Sequence, residues 1–379
     1  METGKRTYVI ILAVLFALFL CFPMFYDALD NSEKAEVSES ENRNLAAKPF
    51  LDITYLDVFP KQYTAYYNDH FPFRQEIMRF FGRNILWGLF GKSPVPDKVT
   101  IGKDGWLFQA ENRLLYSGQL DFTPEEVETI YQKLHERAQF LSDKGIGFYL
   151  IIAPMKCEVY PEKLPRFFHR TSGKTRTKKL IERIEGDSLI HFIDIQNAMT
   201  KTSDTLKLYP KTDHHWSTAG GFVVYKEIMR HLKESYPGIV TLHDSDIFPI
   251  IDSSWCGGLA NMIQLCSELR EIRYHYTRKH PRGSISPEKK YEPPYWFAYK
   301  DEYEIRTLVA DTTLPSIVVI RDSFFGSLLP FFSDSFQKSL YIFDAWMYGT
   351  NFDIISKENP DIVLLEVYEP LLDHLLVAN

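Results

Sequence analysis

Ser316-Ile317-Val318-Val319-Ile320-Arg321-Asp322-Ser323-Phe324-Phe325-Gly326 is an aliphatic run that stops abruptly at charged, hydroxyl and glycine residues. Such a run reads as a strand buried on both faces, and the residues after Ile320 read as a turn into a helix. Similar runs recur at residues 148–153, 189–194, 340–343 and 362–365. Helical signals lie between them. Thr123-Pro124-Glu125-Glu126 is a capping box with Pro at the first helical position. Val127, Ile130, Tyr131, Leu134, Ala138 and Leu141 then come at helical spacing, and Gly145 ends the helix. A second helix ends over residues 180–185, and Ser217 caps a third through Gly221, Val224, Tyr225, Ile228 and Leu232. Strands alternating with helices predict an α/β fold whose mostly parallel sheet is covered on both faces.

Residues 245–310 break that rhythm with Tyr274, Tyr276, Tyr291, Tyr295, Trp296 and Tyr299 among basic residues and prolines. They read as an insertion of irregular or antiparallel structure. Upstream, Ile101-Gly102-Lys103-Asp104-Gly105-Trp106-Leu107-Phe108 reads as a hairpin around Asp-Gly and marks the start of the main domain, residues 101–379. Residues 49–100 are aromatic-rich and read as helices interrupted near Pro72. There Asp69, His70 and Arg74 are better explained as a salt bridge or helix cap than as a site. Residues 27–48 are polar and read as a stalk.

The N-terminus sets the compartment. Lys5 and Arg6 precede an uncharged run over residues 8–26. As a helix this spans about 28 Å, close to the roughly 30 Å hydrocarbon core of a bilayer. It is too long for an ordinary signal-peptide core, and no small-x-small cleavage site lies close behind it. The basic residues place the N-terminal tip in the cytoplasm. Residues 1–26 therefore read as a tip and single transmembrane signal anchor, with the remainder outside the cytoplasmic membrane.

Composition agrees with a folded protein: 45% hydrophobic and 25% charged residues over 379 positions. A formal net charge of −7 gives no general attraction to nucleic acid, and none is expected as a partner. Of four cysteines, Cys21 falls in the anchor; Cys256 and Cys266 can form a disulfide outside the cell or serve as small buried hydrophobes. No Cys-x-x-Cys metal spacing is present.

Chemistry gathers at Thr212-Asp213-His214-His215-Trp216-Ser217, directly before the third helix. An imidazole suits proton transfer near neutrality, and a carboxylate two residues away can orient it. The missing nucleophile is Ser323, at the strand-to-turn junction where a hydroxyl is exposed and backbone N–H groups can face an oxyanion. His215 is then the base and Asp213 its orienting group. Each piece alone has a plainer explanation, as a turn, an N-cap or a structural histidine. A metal site from Asp213, His214 and His215 is the least favoured reading, because adjacent histidines on a loop rarely converge on one ion; no metal and no cofactor are expected.

The motif at 212–217 resembles the signature of the DHHW family, which is similar to the alginate O-acetylation proteins with an SGNH-hydrolase-like domain of permuted motif order. Other segments fit in order: Glu41-Asn42-Arg43, Asp69-His70-Phe71-Pro72-Phe73-Arg74, Gly102 to Phe108, Ala153-Pro154-Met155-Lys156 with Tyr160-Pro161, and Asp322-Ser323. The resemblance implies a three-layer SGNH-like fold with Ser323, His215 and Asp213 as catalytic residues. Lys156 falls in the family's Pro-x-Lys segment, and Arg321 replaces a glycine that often precedes Asp-Ser. Gly258 and Asn261 are candidates for the second oxyanion donor, Trp216 for shielding the imidazole, and Lys156 and Arg321 for contacts with substrate. His214, at the variable position, is expected to pack. The function implied is O-acetyl transfer to a polysaccharide, with a membrane-bound O-acyltransferase as donor. The rivals are a deacetylating esterase using the same triad and a non-catalytic glycan-binding scaffold.

Overall fold

The computed structural model describes residues 2–29, 37–38, 43–171, 173–344 and 346–378. Half of the expected stalk, with Glu41 and Asn42, lies outside the described residues. The chain divides into two compact units, Met1–Val95 with Asn261–Leu265, and Pro96–Ala260 with Cys266–Asn379.

In the first unit, α1 spans Glu2–Leu29, α2 Phe59–Asp69 and α3 Arg74–Phe80. A π-helical stretch, Phe81–Trp87, continues α3 into the turn Gly88–Phe90. The break before α3 falls beside Pro72, as expected, with Phe73 in the left-handed region at φ 58°. Phe73 stacks on Phe22 and Tyr26 of α1, at centroid distances of 6.1 and 4.6 Å. Asp69 accepts the N–H of Ala46 at 2.8 Å, and His70 stacks on Tyr66 at 4.4 Å, which are structural contacts. The side chains of α1 are described at positions 9–18 and at a few others, all exposed. Among the described residues no helix is long and apolar enough to cross a membrane.

The second unit opens with a hairpin of β1, Val99–Ile101, and β2, Leu107–Gln109, turning through Asp104 and Gly105 at positive φ. Next come α4, Pro124–Ser142; β3, Gly147–Ala153; α5, Arg176–Ile184; β4, His191–Phe192; α6, Ile195–Thr202; and α7, Thr218–Ser235. The Thr123–Glu126 capping box forms with both hydrogen bonds in place. The insertion supplies β5, Ile247–Trp255, and β6, Glu271–Arg278, as an antiparallel pair, followed by β7, Ser284–Ser286, and β8, Glu304–Leu308. Then β9, Ile317–Arg321, β10, Lys338–Phe343, and β11, Ile362–Tyr368, complete the sheet.

The sheet has seven strands in the order β4-β3-β11-β9-β10-β8-β7. The first five run parallel, and β8 and β7 add an antiparallel edge, so the sheet is mixed. Side chains alternate between two cores. Tyr149, Ile151, Val319 and Leu364 face Phe222, Tyr225 and Ile228 of α7 and Met199 of α6. Leu150, Val318, Ile320 and Val363 face Ile130 and Leu134 of α4 and Leu180 of α5. Each such aliphatic side chain contributes about 1.5–3 kcal/mol on burial, and covering both faces makes the three layers. The strand expected over 189–194 shrinks to two residues because its flanks are taken by other structure. The Asp187 carboxylate accepts the N–H of Leu189, and Asp194 caps α6.

Cys256 and Cys266 form a disulfide with Cα atoms 5.5 Å apart, so they are not the separate buried hydrophobes of the alternative reading. The bond closes the segment between β5 and β6. Closing a loop of this length contributes about 2–3 kcal/mol by restricting the unfolded chain. Replacing both cysteines by serine is expected to lower unfolding free energy by that amount in a denaturant titration. An unchanged midpoint would show the bond to be energetically idle.

Candidate active site

The carboxyl ends of the five parallel strands share one edge, where open α/β sheets hold their ligands. There β9 ends at Arg321, and Ser323 lies in the turn before a short 3₁₀ segment, Phe324–Ser327. Facing it is the loop that enters α7. Ser217 caps that helix by accepting the Gly220 N–H at 3.3 Å. Gly221 lets the helix approach the turn, since a Cβ there would sit 2.6 Å from Ser327 Oγ and 2.9 Å from its carbonyl oxygen.

Folding brings together residues 108 positions apart: His215 Nε2 lies 2.9 Å from Ser323 Oγ. His215 Nδ1 lies 3.0 Å from Asp213 Oδ1, which also accepts the His215 backbone N–H at 2.8 Å. The second contact is an Asx turn and explains the two-residue spacing: one carboxylate oxygen holds both ring and main chain of its partner. Asp213 Oδ2 accepts the Gly258 N–H at 2.7 Å. Burial raises the Asp213 carboxyl. The His215 hydrogen bond, the charges of His215 and His214 and the Gly258 N–H outweigh it, and hold it well below the usual carboxylate range. Ionised Asp213 is an acceptor only, so it keeps the proton on Nδ1 and leaves the Nε2 lone pair toward Ser323.

A buried ammonium and a partly buried carboxylate fasten this loop. Lys156 Nζ donates to the carbonyls of Leu107, Lys211 and Asp213 at 2.8, 2.9 and 2.9 Å, which uses all three N–H bonds. The faces of Trp106 and Phe108 lie 4.9 and 5.2 Å from it. Burial pulls the ammonium down to about 7, against the opposing charges of Glu271 and Asp213; the carbonyl oxygens favour its charged form. Glu271 accepts the N–H groups of Lys211 and Thr212, at 2.9 and 2.8 Å, the Thr212 hydroxyl at 2.6 Å and the Lys207 ammonium. Gly257 closes behind it, where a Cβ would meet the Thr212 carbonyl at 2.5 Å.

The Ser323 turn has its own anchor. Asp322, fully buried, accepts from the Phe324 N–H at 2.8 Å, the Tyr348 hydroxyl at 2.8 Å and the Tyr368 N–H at 2.9 Å. Its own N–H donates to Glu366 at 2.9 Å. Burial raises both carboxyls; Asp322 pushes Glu366 up further, while the Glu366 hydrogen bond opposes the rise at Asp322.

Several sequence candidates thus occupy positions other than those expected. Lys156 cannot reach a substrate, because its donors are spent on the main chain. The N–H of Gly258 is engaged by Asp213 and is not an oxyanion donor. Buried Arg321 donates to the carbonyls of Asp322 and Glu302, at 3.1 and 2.9 Å, and lies 4.5 Å over Phe343; it supports the turn from behind. The Trp216 indole N–H donates to the Phe324 carbonyl at 3.0 Å and contacts the Ser327 hydroxyl, clasping the histidine loop to the serine turn. Asn261 falls in the first unit. His214 packs at 3.8 Å on the His215 ring, and burial pushes it down to about 3, so it is neutral near pH 7. One atom from each of Asp213, His214 and His215 lies within 4.8 Å of the others, a spacing that also fits a metal ion. Three N–H donors already converge on the Asp213 carboxylate, which favours the hydrogen-bonded chain. Glu271, Glu366, Tyr348 and Tyr368 were not signalled by any local motif.

Comparison with known proteins places this geometry. A family model described as the SGNH hydrolase-like domain of the acetyltransferase AlgX matches residues 99–352. A probable alginate O-acetylase, AlgJ of Pseudomonas aeruginosa, is 24% identical over 178 residues, covering 46% of this chain and 42% of that protein. The chain thus spans less than half the length of the curated relative it matches. Among solved structures, Bacillus cereus PatB1 with a sulfonyl adduct superposes with a TM-score of 0.54 at 17% identity, over 74% of this chain and all of that one. A DHHW family protein from Eubacterium siraeum gives 0.51 at 14% identity, over 72% and 92%. At these identities the structures speak for the shared fold.

Two stability measurements check the site. Lys156→Met keeps the length but strips three buried carbonyls of their donor, and is expected to cost about 3–5 kcal/mol; a loss below about 1 kcal/mol would contradict the fastening role. For His214, the unfolded ring takes a proton near its ordinary pKa, whereas the folded ring resists until about pH 3. Its contribution to stability is therefore lost as pH falls from about 6.5 towards 3. His214→Gln should flatten that acid slope; an identical slope would refute the assignment.

Proposed function

We propose a reaction from the premise that the chain belongs to the AlgX family of SGNH hydrolase-like acetyltransferase domains: it moves an acetyl group, through an acyl-serine intermediate, to a hydroxyl of a polysaccharide outside the cytoplasm. The observation that carries this reading is the hydrogen-bonded chain Asp213–His215–Ser323. His215 Nε2 takes the Ser323 proton as Oγ attacks the acyl carbonyl. Negative charge gathers on the carbonyl oxygen, and we assign the backbone N–H of Ser323 as one of its donors, in a turn that Asp322 holds rigid. The tetrahedral species collapses as His215 returns the proton to the leaving group. A sugar hydroxyl then approaches the acyl-serine, loses its proton to His215, and leaves as the acetyl ester, restoring Ser323. Asp213 holds the ring's orientation throughout and offsets its positive charge.

The chain's surroundings support an extracytoplasmic setting. Residues 8–26 carry no charge and come directly after Lys5 and Arg6, so we assign them as a single-pass anchor with the tip in the cytoplasm. Residues 27–48 are the stalk, 49–100 the membrane-proximal segment and 101–379 the catalytic domain. The Cys256–Cys266 disulfide suits an oxidising compartment. The acceptor class rests on the relative named as an alginate O-acetylase, and an integral membrane O-acyltransferase is the donor we assign.

The test uses the full chain with an acetyl ester donor, with and without acceptor oligosaccharide. Acceptor should divert acetyl from water to sugar; release of free acetate that acceptor leaves unchanged, with no acetylated sugar, would instead establish an esterase. Ser323→Ala and His215→Ala should each lower kcat roughly a thousand-fold or more, and Asp213→Asn roughly a hundred-fold or more. His214→Gln should stay near wild type. Full polysaccharide acetylation retained in cells that carry Ser323→Ala would instead favour the non-catalytic scaffold reading.

A further inference from the structure

The first unit carries a surface that the chemistry does not use. Residues 74–90 form one continuous helical run, α3 with its π-helical and terminal turns. Along it Ile77, Phe80, Phe81, Leu89 and Phe90 are each at least half exposed. Large apolar side chains crowded on one short run are uncommon on a water-facing surface and mark a contact. The same run is basic: Arg74, Arg79 and Arg83 stand against a single acidic residue, Glu76.

The attachment of the run indicates its cover. Phe73, the residue before α3, stacks on Phe22 and Tyr26 in the last turns of α1. In the anchor reading those turns lie where the helix leaves the hydrocarbon core, the level at which aromatic side chains concentrate. The run therefore starts at the headgroup level. Apolar Phe and Leu residues with interspersed arginines are what an interfacial helix presents to lipid.

We propose that residues 74–90 lie in the outer lipid interface, as a second membrane contact beside the α1 anchor on whose membrane-spanning role the proposal rests. The aromatic and aliphatic side chains enter the headgroup–acyl boundary, and Arg79 and Arg83 meet lipid phosphates. Such a contact would keep the start of the catalytic domain near the bilayer, whereas α1 alone would leave it on a tether.

Site-directed nitroxides on the full chain test this in phosphatidylglycerol-containing vesicles. Labels go on Phe81→Cys, Leu89→Cys, Glu76→Cys and, in the anchor, Leu15→Cys, with Cys21 and Cys157 replaced by alanine. Labels at 81 and 89 should collide with oxygen several-fold more readily than with a water-soluble nickel chelate, and the label at 76 should show the reverse. Nickel access at 81 and 89 with oxygen access at 15 would overturn the proposal and leave the anchor standing. Nickel access at 15 as well would overturn both. Shielding of 81 and 89 from both reagents would mean that a protein partner, not lipid, covers the run.

Discussion

Three main-chain carbonyls, from Leu107, Lys211 and Asp213, converge on the ammonium of Lys156, and the placement of the Asp213–His215 loop depends on that convergence. A buried cation is costly unless every donor is matched. Here the acceptors come from three places: the β1–β2 hairpin, the start of the loop and the carboxylate residue itself. Glu271 is the complement, taking backbone N–H groups of the same loop. Together the two charges fix both donor and acceptor sides of residues 211–213. Asp213 then meets His215 without relying on the loop's own stiffness, which a segment without regular secondary structure would lack.

The serine turn is held by the opposite means. Its buried carboxylate, Asp322, gathers donors from β11 and from the Tyr348 loop, so the backbone at Ser323 is set by buried groups. The Trp216 clasp joins the two halves, and each side of the site thus carries its support next to its reactive group. Preorganisation of this sort matters for acyl transfer, since charge develops on an oxygen whose donors should already be in place.

How much of this was legible in the sequence depended on range. The buried strands, the Thr123 and Ser217 caps and the Asp213–His215 pair rest on spacings of a few residues, which periodicity and turn chemistry encode. Ser323 was found through its strand-to-turn context and a family resemblance, since nothing local ties it to a histidine 108 positions earlier. The roles of Lys156, Gly258 and Arg321 were read as contacts with substrate because charged or N–H groups near a motif invite that reading. Their partners are main-chain atoms and carboxylates far along the chain, and burial, invisible to a motif, decides which way each group points. The Glu271 brace and the Asp322–Glu366 pair were missed for the same reason.

In the proposed reaction Ser323 carries the acyl group between donor and sugar. Peptide mass mapping after brief exposure to an acetyl ester donor tests it most directly. One added acetyl group is expected on the peptide containing Ser323, lost when acceptor oligosaccharide is supplied and absent in Ser323→Ala. Acetylated sugar forming at the normal rate with no acetyl ever detectable on that peptide, and undiminished in the alanine variant, would contradict it.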